Sequence, residues 1–212
     1  MLKAEDEQYN TIASTLNELT ANGSYNIDLV ISNTVYEVAK VDRINGYKKA
    51  DMQLTAANGQ PMVFISLKKG ANPKDTFGFG GLGSYKTHPV LKDFKKKVRK
   101  RKHPRNTSYA MKLDTANDIH VDLMLKVMYG KEYNTDELSP DNVHYIMYGN
   151  TTVINNSSGN YLCADKTLNN GELYDGTLQV QTMYSTDRND LGIKNTATQL
   201  RHEGSRKVTH YV

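Results

Sequence analysis

The sequence predicts an α+β fold, helix-rich over its first two-thirds and strand-rich over its last third. Three observations carry this. Apolar residues recur at helical spacing over residues 5–21, 89–102 and 115–128. Asn58-Gly59 separates two apolar runs, 48–56 and 61–69, which is a strong local hairpin signal. From residue 143 onward, short runs at 143–148, 161–165, 177–184 and 195–202 are punctuated by Gly and Asn.

Taken in order, Tyr9, Ile12, Leu16 and Leu19 form the stripe of the first helix, and Asn22-Gly23 stops it. Residues 26–31 are too short to separate a strand from a helical turn. Thr34 and Glu37 have capping-box spacing, and Gly46 follows, so residues 34–44 are predicted as a second helix. The hairpin comes next, then a Gly-rich loop at 70–87. That loop contains Phe77 and Phe79, expected to pack or stack, and lacks the Gly-Lys-Ser/Thr of a nucleotide loop. Pro89 suits the first turn of a helix whose apolar stripe is Val90, Leu91, Phe94 and Val98. Ile119, Leu123 and Val127 mark the helix at 115–128. A division is expected near residue 135, with 1–135 forming the α/β core and 136–212 the strand-rich part.

The chain has 212 residues and a mass of 23.8 kDa, enough to bury a sizeable core. Hydrophobic residues make up 38% and the mean hydropathy is −0.64, a polar but globular composition. A single cysteine, Cys163, excludes an intramolecular disulfide. No apolar run approaches the ~20 residues of a membrane helix, and no secretory leader is expected at the N-terminus. The six histidines show no metal-binding spacing.

The net charge of +4 hides a division. Residues 92–105 hold nine of the 27 Lys and Arg against one acid, a net +8 that leaves −4 over the other residues. Lys92, Lys95, Lys96, Lys97, Arg99, Lys100, Arg101, Lys102 and Arg105 therefore repel one another with little local compensation. A polyanion relieves that repulsion, so these residues are the expected DNA-binding set. Arg188, Lys194, Arg201, Arg206 and Lys207 make the C-terminal strands mildly basic and read as solvated.

A two-residue turn at Asn58-Gly59 pairs Ala57 with Gln60 and places Asp51 opposite Ser66. Lys68 follows two residues later on the same face. Met52, Leu54, Val63, Ile65 and Leu67 take the other, buried face. An acid, a hydroxyl and a lysine thus converge. A hard carboxylate suits Mg²⁺, and a nearby lysine can orient water and offset phosphate charge.

Asp51, Ser66 and Lys68 resemble the core of the PD-(D/E)XK nuclease superfamily, in a Ser-x-Lys variant where Ser66 replaces the second acid. The match covers residues 33–69. Segments KADMQL, VFISLKKG and DRNDLGIKN are also similar to proteins encoded by bacteriophages. The resemblance implies a restriction-endonuclease-like core, a central mixed sheet flanked by helices. It implies an Mg²⁺- or Mn²⁺-dependent endonuclease that leaves 5′-phosphate and 3′-hydroxyl ends. Asp51 would bind the metal, Lys68 would position the water and Ser66 would bond to the metal's shell. Glu37 stands where an upstream helix glutamate would supply a second ligand; it reads equally as the capping partner of Thr34. The alternative is a DNA-binding or virion structural protein whose core is degenerate. DNA is the expected partner, with a second copy of the chain or phage-particle components besides, and no membrane. The expected location is the host cytoplasm or the virion.

Overall fold

The computed structural model is α+β. It describes residues 4–21, 27–46, 48–68, 78–101, 107–135, 138–149, 152–156, 159–163, 166–183 and 197–212. Helices are α1 (Ala4–Ala21), α2 (Pro89–Arg99) and α3 (Asp118–Tyr129). Strands are β1 (Ile27–Ile31), β2 (Thr34–Val38), β3 (Lys40–Arg43), β4 (Met52–Thr55), β5 (Pro61–Lys68), β6 (Gly78–Gly81), β7 (Ser108–Lys112), β8 (Tyr145–Tyr148), β9 (Thr152–Asn156), β10 (Gly159–Cys163), β11 (Lys166–Asn169), β12 (Leu178–Met183), β13 (Gln199–His202) and β14 (His210–Tyr211).

The chain crosses three times between two compact units. The first takes Met1–Asn72 and Tyr129–Glu172; the second takes Pro73–Met128 and Leu173–Val212. No helix among the described residues is long and apolar enough to cross a membrane.

The first unit has two sheets, ordered β2-β1-β10-β9 and β11-β8-β5-β4-β3. In the second of these, β3, β4 and β5 form an antiparallel meander, and β8 runs parallel to β5. Ile12 and Leu16 of α1, Leu29 and Ile31 of β1, and Met52, Leu54, Val63, Ile65, Leu67 and Met147 of the meander and β8 share one buried cluster. This is the apolar hairpin face expected from period 2.

The predicted helix at 34–44 is instead β2 and β3. Ser32 and Asn33 both adopt positive φ, 47° and 68°. They make a two-residue turn of the kind that joins twisted antiparallel strands, and Ile31 pairs with Thr34 directly across it. Val35, Val38 and Val41 favour this outcome, because branched side chains lose less freedom in a strand than on a helix. Thr34 and Glu37 therefore make no capping box.

The hairpin shows a second departure, and it cancels itself. The Ala56 N–H bonds to the Gln60 carbonyl (3.0 Å), so the loop is three residues, Ala57-Asn58-Gly59, not two. Gly59 takes φ +79°, which a residue with a Cβ adopts only with strain. This shifts the register by one at the turn. A bulge at Met62 shifts it back: Thr55 pairs with Pro61, but Leu54 pairs with Val63 and Met52 with Ile65. Without the bulge, every residue beyond it would change faces.

The second unit is a five-stranded sheet, β14-β7-β12-β13-β6. Met111 and Tyr109 on one face of β7 are buried, as are Val90, Leu91, Phe94 and Val98 of α2. The Lys97 ammonium lies 3.7 Å from the Met111 sulfur, which places α2 over that face. Pro89 occupies the first turn of α2, and His88 caps it by accepting from the Val90 N–H (3.3 Å). The Gly-rich stretch is partly β6, paired with β13. Phe79 is a buried core residue set edge-on to Tyr174, so it offers no surface for stacking a base. Phe77 lies outside the described residues.

His144, just before β8, yields a pH prediction. Its Nδ1 accepts the Phe64 N–H at 3.0 Å, and burial lowers its pKa to about 4. The folded chain holds this imidazole neutral, whereas the unfolded chain protonates it near its ordinary 6.5. Its contribution is intact above about pH 6.5 and is lost as pH falls towards 4. Urea melts should show that His144→Gln removes about 2 kcal/mol of the acid-induced loss between pH 6.5 and 4.5. Parallel wild-type and variant pH profiles would refute this.

Candidate active site and basic helix

Asp51 immediately precedes β4, and its backbone is pinned on both sides. Its N–H donates to the Ile65 carbonyl (2.9 Å), and its carbonyl accepts from the Ile44 N–H (3.1 Å). The N–H groups of Lys49 and Ala50 both donate to the Pro140 carbonyl. These bonds fix the backbone from which the carboxylate projects.

The carboxylate meets the residues that the hairpin register predicts. Asp51 Oδ2 accepts from the Ser66 hydroxyl at 3.1 Å, the Leu67 N–H at 2.6 Å and the Lys68 ammonium at 3.5 Å. Lys68 also donates to the Leu67 carbonyl at 2.9 Å. The side chains of Lys68 and Asp51 are 11% and 22% exposed, so their attraction is only partly screened by water. Every hydrogen bond to this carboxylate among the described residues goes to Oδ2, which leaves Oδ1 available to a ligand.

The site's floor extends across neighbouring strands. Ser66 lies opposite Ile146 of β8, and Lys68 opposite Tyr148. From α1, the Gln8 amide donates to the carbonyls of Gly149 (2.7 Å) and Lys68 (3.3 Å), tying the helix to the end of β5.

Lys49 is electrostatically coupled to this group, which the sequence reading did not anticipate. Burial, reinforced by the charge of Lys68 and opposed by Asp51, lowers its pKa to about 7. The available signal was its spacing, two residues before Asp51 on an extended segment. Lowering pH through 7 adds positive charge beside the carboxylate.

Glu37 does not join this group. It lies on β2 of the other sheet, exposed and opposite Asp28, and makes no hydrogen bond or ion pair with Asp51. The chain leaving Glu37 joins β3 at Lys40, opposite Thr55. Thr55 is four residues from Asp51, roughly 13 Å along the strand. The expectation depended on a helix at 34–44, and the strand removes it.

An Mg²⁺ ion commonly takes one or two carboxylates and completes its shell with water and substrate phosphate. Asp51 Oδ1 and the Ser66 hydroxyl fit the minimal form of that donor set. No group of three or more His, Cys, Asp or Glu able to hold a metal occurs among the described residues.

Helix α2 carries the basic block in the second unit. Lys92, Lys96, Lys97, Arg99, Lys100 and Arg101 are exposed, and Lys95 is half-buried. Lys97 pairs with Asp93 at 2.8 Å. Among the described residues, the others have no acidic partner. Lys96, Lys97 and Arg99 lie in the last turn, where the helix dipole favours cations. Lys102 and Arg105 lie outside the described residues.

No family model matches the sequence, and no curated protein or solved structure matches it.

Proposed function

We propose that this chain is a phage-encoded, metal-dependent deoxyribonuclease built on a restriction-endonuclease-like core. The observation that carries the reading is the convergence of Asp51, Ser66 and Lys68 on one face of a mixed sheet. The antiparallel meander, the parallel β8 and the helix α1 at its apolar side support such a core.

Asp51 and Ser66 would hold an Mg²⁺ or Mn²⁺ ion. When bound, that ion supplies Lewis acidity and lowers the pKa of water. Lys68, held by Asp51 and the Leu67 carbonyl, orients the attacking water and offsets charge on the phosphate. Lys49 adds cationic character beside it. The α2 cations supply affinity for DNA phosphates without reading sequence. The expected products are 5′-phosphate and 3′-hydroxyl ends. The expected location is the host cytoplasm or the virion, as a single chain, a homo-oligomer or with particle components.

The test is cleavage of supercoiled plasmid with Mg²⁺ or Mn²⁺. Wild type should nick or linearise the plasmid, and Lys68→Met should slow this on the order of a hundredfold. Wild-type binding without cleavage would establish the second reading, a DNA-binding or virion structural protein with a degenerate core. That reading is favoured by Ser66 standing in place of the second acid.

A further inference from the structure

The second unit contains a polar pocket that plays no part in the reading above. Gln199 and Arg201 lie on one face of β13, the face opposite α2's side of the sheet. Across the ladder, Gln181 of β12 pairs with Gln199, and Gln179 pairs with Arg201. On β7, Ala110 lies opposite Gln181, and Ser108 opposite Met183. Period 2 therefore sets two glutamines of β12 beside a glutamine and an arginine of β13. The alternate positions, Leu178, Val180 and Leu200, are buried apolar residues.

This polar face is buried and incompletely satisfied. Gln179 is fully buried, and neither amide atom has a hydrogen-bond partner. Gln181 is 6% exposed, and its carbonyl oxygen also has none. Arg201 is 8% exposed and donates to the Gln199 side-chain Oε1. A buried polar group left without a partner destabilises the fold, and a bound ligand could supply that partner.

Gln181, Gln199 and Arg201, with Ser108, line a cavity of about 50 Å³ that Arg206 and Lys207 also border. One water needs only ~10–15 Å³. Arg206 and Lys207 are exposed and form the rim. Their loop is tied down where Ser108 donates to the Lys207 carbonyl (2.8 Å) and accepts the Thr209 N–H (2.9 Å). Among the described residues, no Asp or Glu lines the cavity and none pairs with Arg201, Arg206 or Lys207. Burial and the charge of Arg206 lower the Arg201 pKa to about 10, so an anion would relieve both.

We propose that this pocket binds a phosphate group, with Arg201 and Gln181 in its floor and Arg206 and Lys207 at its rim. Arginine presents a planar donor fork suited to phosphate oxygens. An amide can turn to offer its NH₂ group, and a protonated phosphate oxygen can donate to an amide carbonyl. The source is either a terminal phosphate monoester or a backbone phosphodiester. The proposal does not depend on nuclease activity.

The test is calorimetric titration of the full chain with inorganic phosphate, then with a tetranucleotide with or without a 5′-phosphate. Wild type should bind phosphate saturably, and R206Q/K207Q should weaken binding at least fivefold. These rim residues are exposed, so the double variant should fold. Gln181→Leu should weaken binding similarly, whereas neutralising Lys92 and Lys96 on α2 and Lys100 just after it should leave phosphate binding unchanged. A rim-dependent preference for the 5′-phosphorylated tetranucleotide would support the monoester source. Equal, rim-dependent binding of both would support the phosphodiester source. No saturable phosphate binding, or equal binding by wild type and R206Q/K207Q, would overturn the proposal.

Discussion

Asp51→Ala is expected to destabilise the protein by about 3–5 kcal/mol and to abolish plasmid cleavage. The stability effect follows from what the carboxylate holds. Its Oδ2 accepts three donors, among them the Leu67 N–H and the Lys68 ammonium. Lys68 is 9% exposed as a residue, so removing its partner leaves a charge that water reaches poorly. Lys68→Met should cost less, because Asp51 keeps two donors and some solvent. The double variant should therefore be more stable than the sum of the single losses predicts, with a coupling of about 1–3 kcal/mol in urea melts. Strict additivity would mean that the 3.5 Å pair carries no energy. Cleavage should be followed with Asp51→Asn, which keeps the shape and removes the charge. Its rate should fall on the order of a hundredfold or more, since the Asp51 side chain can no longer hold a cation as an anion. A stable Asp51→Asn protein that cuts at the wild-type rate would remove Asp51 from the chemistry.

Neutralising Lys92, Lys96 and Lys100 together should weaken DNA binding on the order of ten- to a hundredfold near 0.1 M salt. It should also flatten the dependence of log K on log salt by about 2.7, since each duplex phosphate contact contributes ~0.9 to the slope. These three are chosen because they are exposed and have no acidic partner among the described residues. Lys97 is a poorer probe, because Asp93 already compensates it. The substitutions lie away from the buried Val90, Leu91, Phe94 and Val98, so folding should be unaffected. An unchanged salt slope would show that α2 does not grip DNA.

Both predictions use features that local sequence specifies well. The α2 stripe was legible because four apolar residues at helical spacing follow a proline that tolerates the first turn. The meeting of Asp51, Ser66 and Lys68 was legible because strand period and turn position relate residues fifteen and seventeen apart. The turn itself was read one residue short, and the Met62 bulge happened to restore the register. A bulge is set by packing along the whole ladder, so the turn dipeptide carried no sign of it.

By itself the sequence determined which residues lie in the α2 stripe, which hairpin face is buried, and where positive charge concentrates. These depend on neighbours within a turn of helix or across one hairpin. Tertiary structure decided the state of residues 34–44, and with it the exclusion of Glu37 from the Asp51 group, because the turn at Ser32-Asn33 and pairing with β1 outweigh a short helical pattern. It also decided that Arg201 is buried opposite Gln179 rather than solvated. Exposure of a strand residue depends on which strands lie beside it, and β12 and β7 are drawn from distant parts of the chain. The two interleaved units follow from the same cause: β5 finds its parallel partner β8 only after the chain has crossed into the second unit and returned.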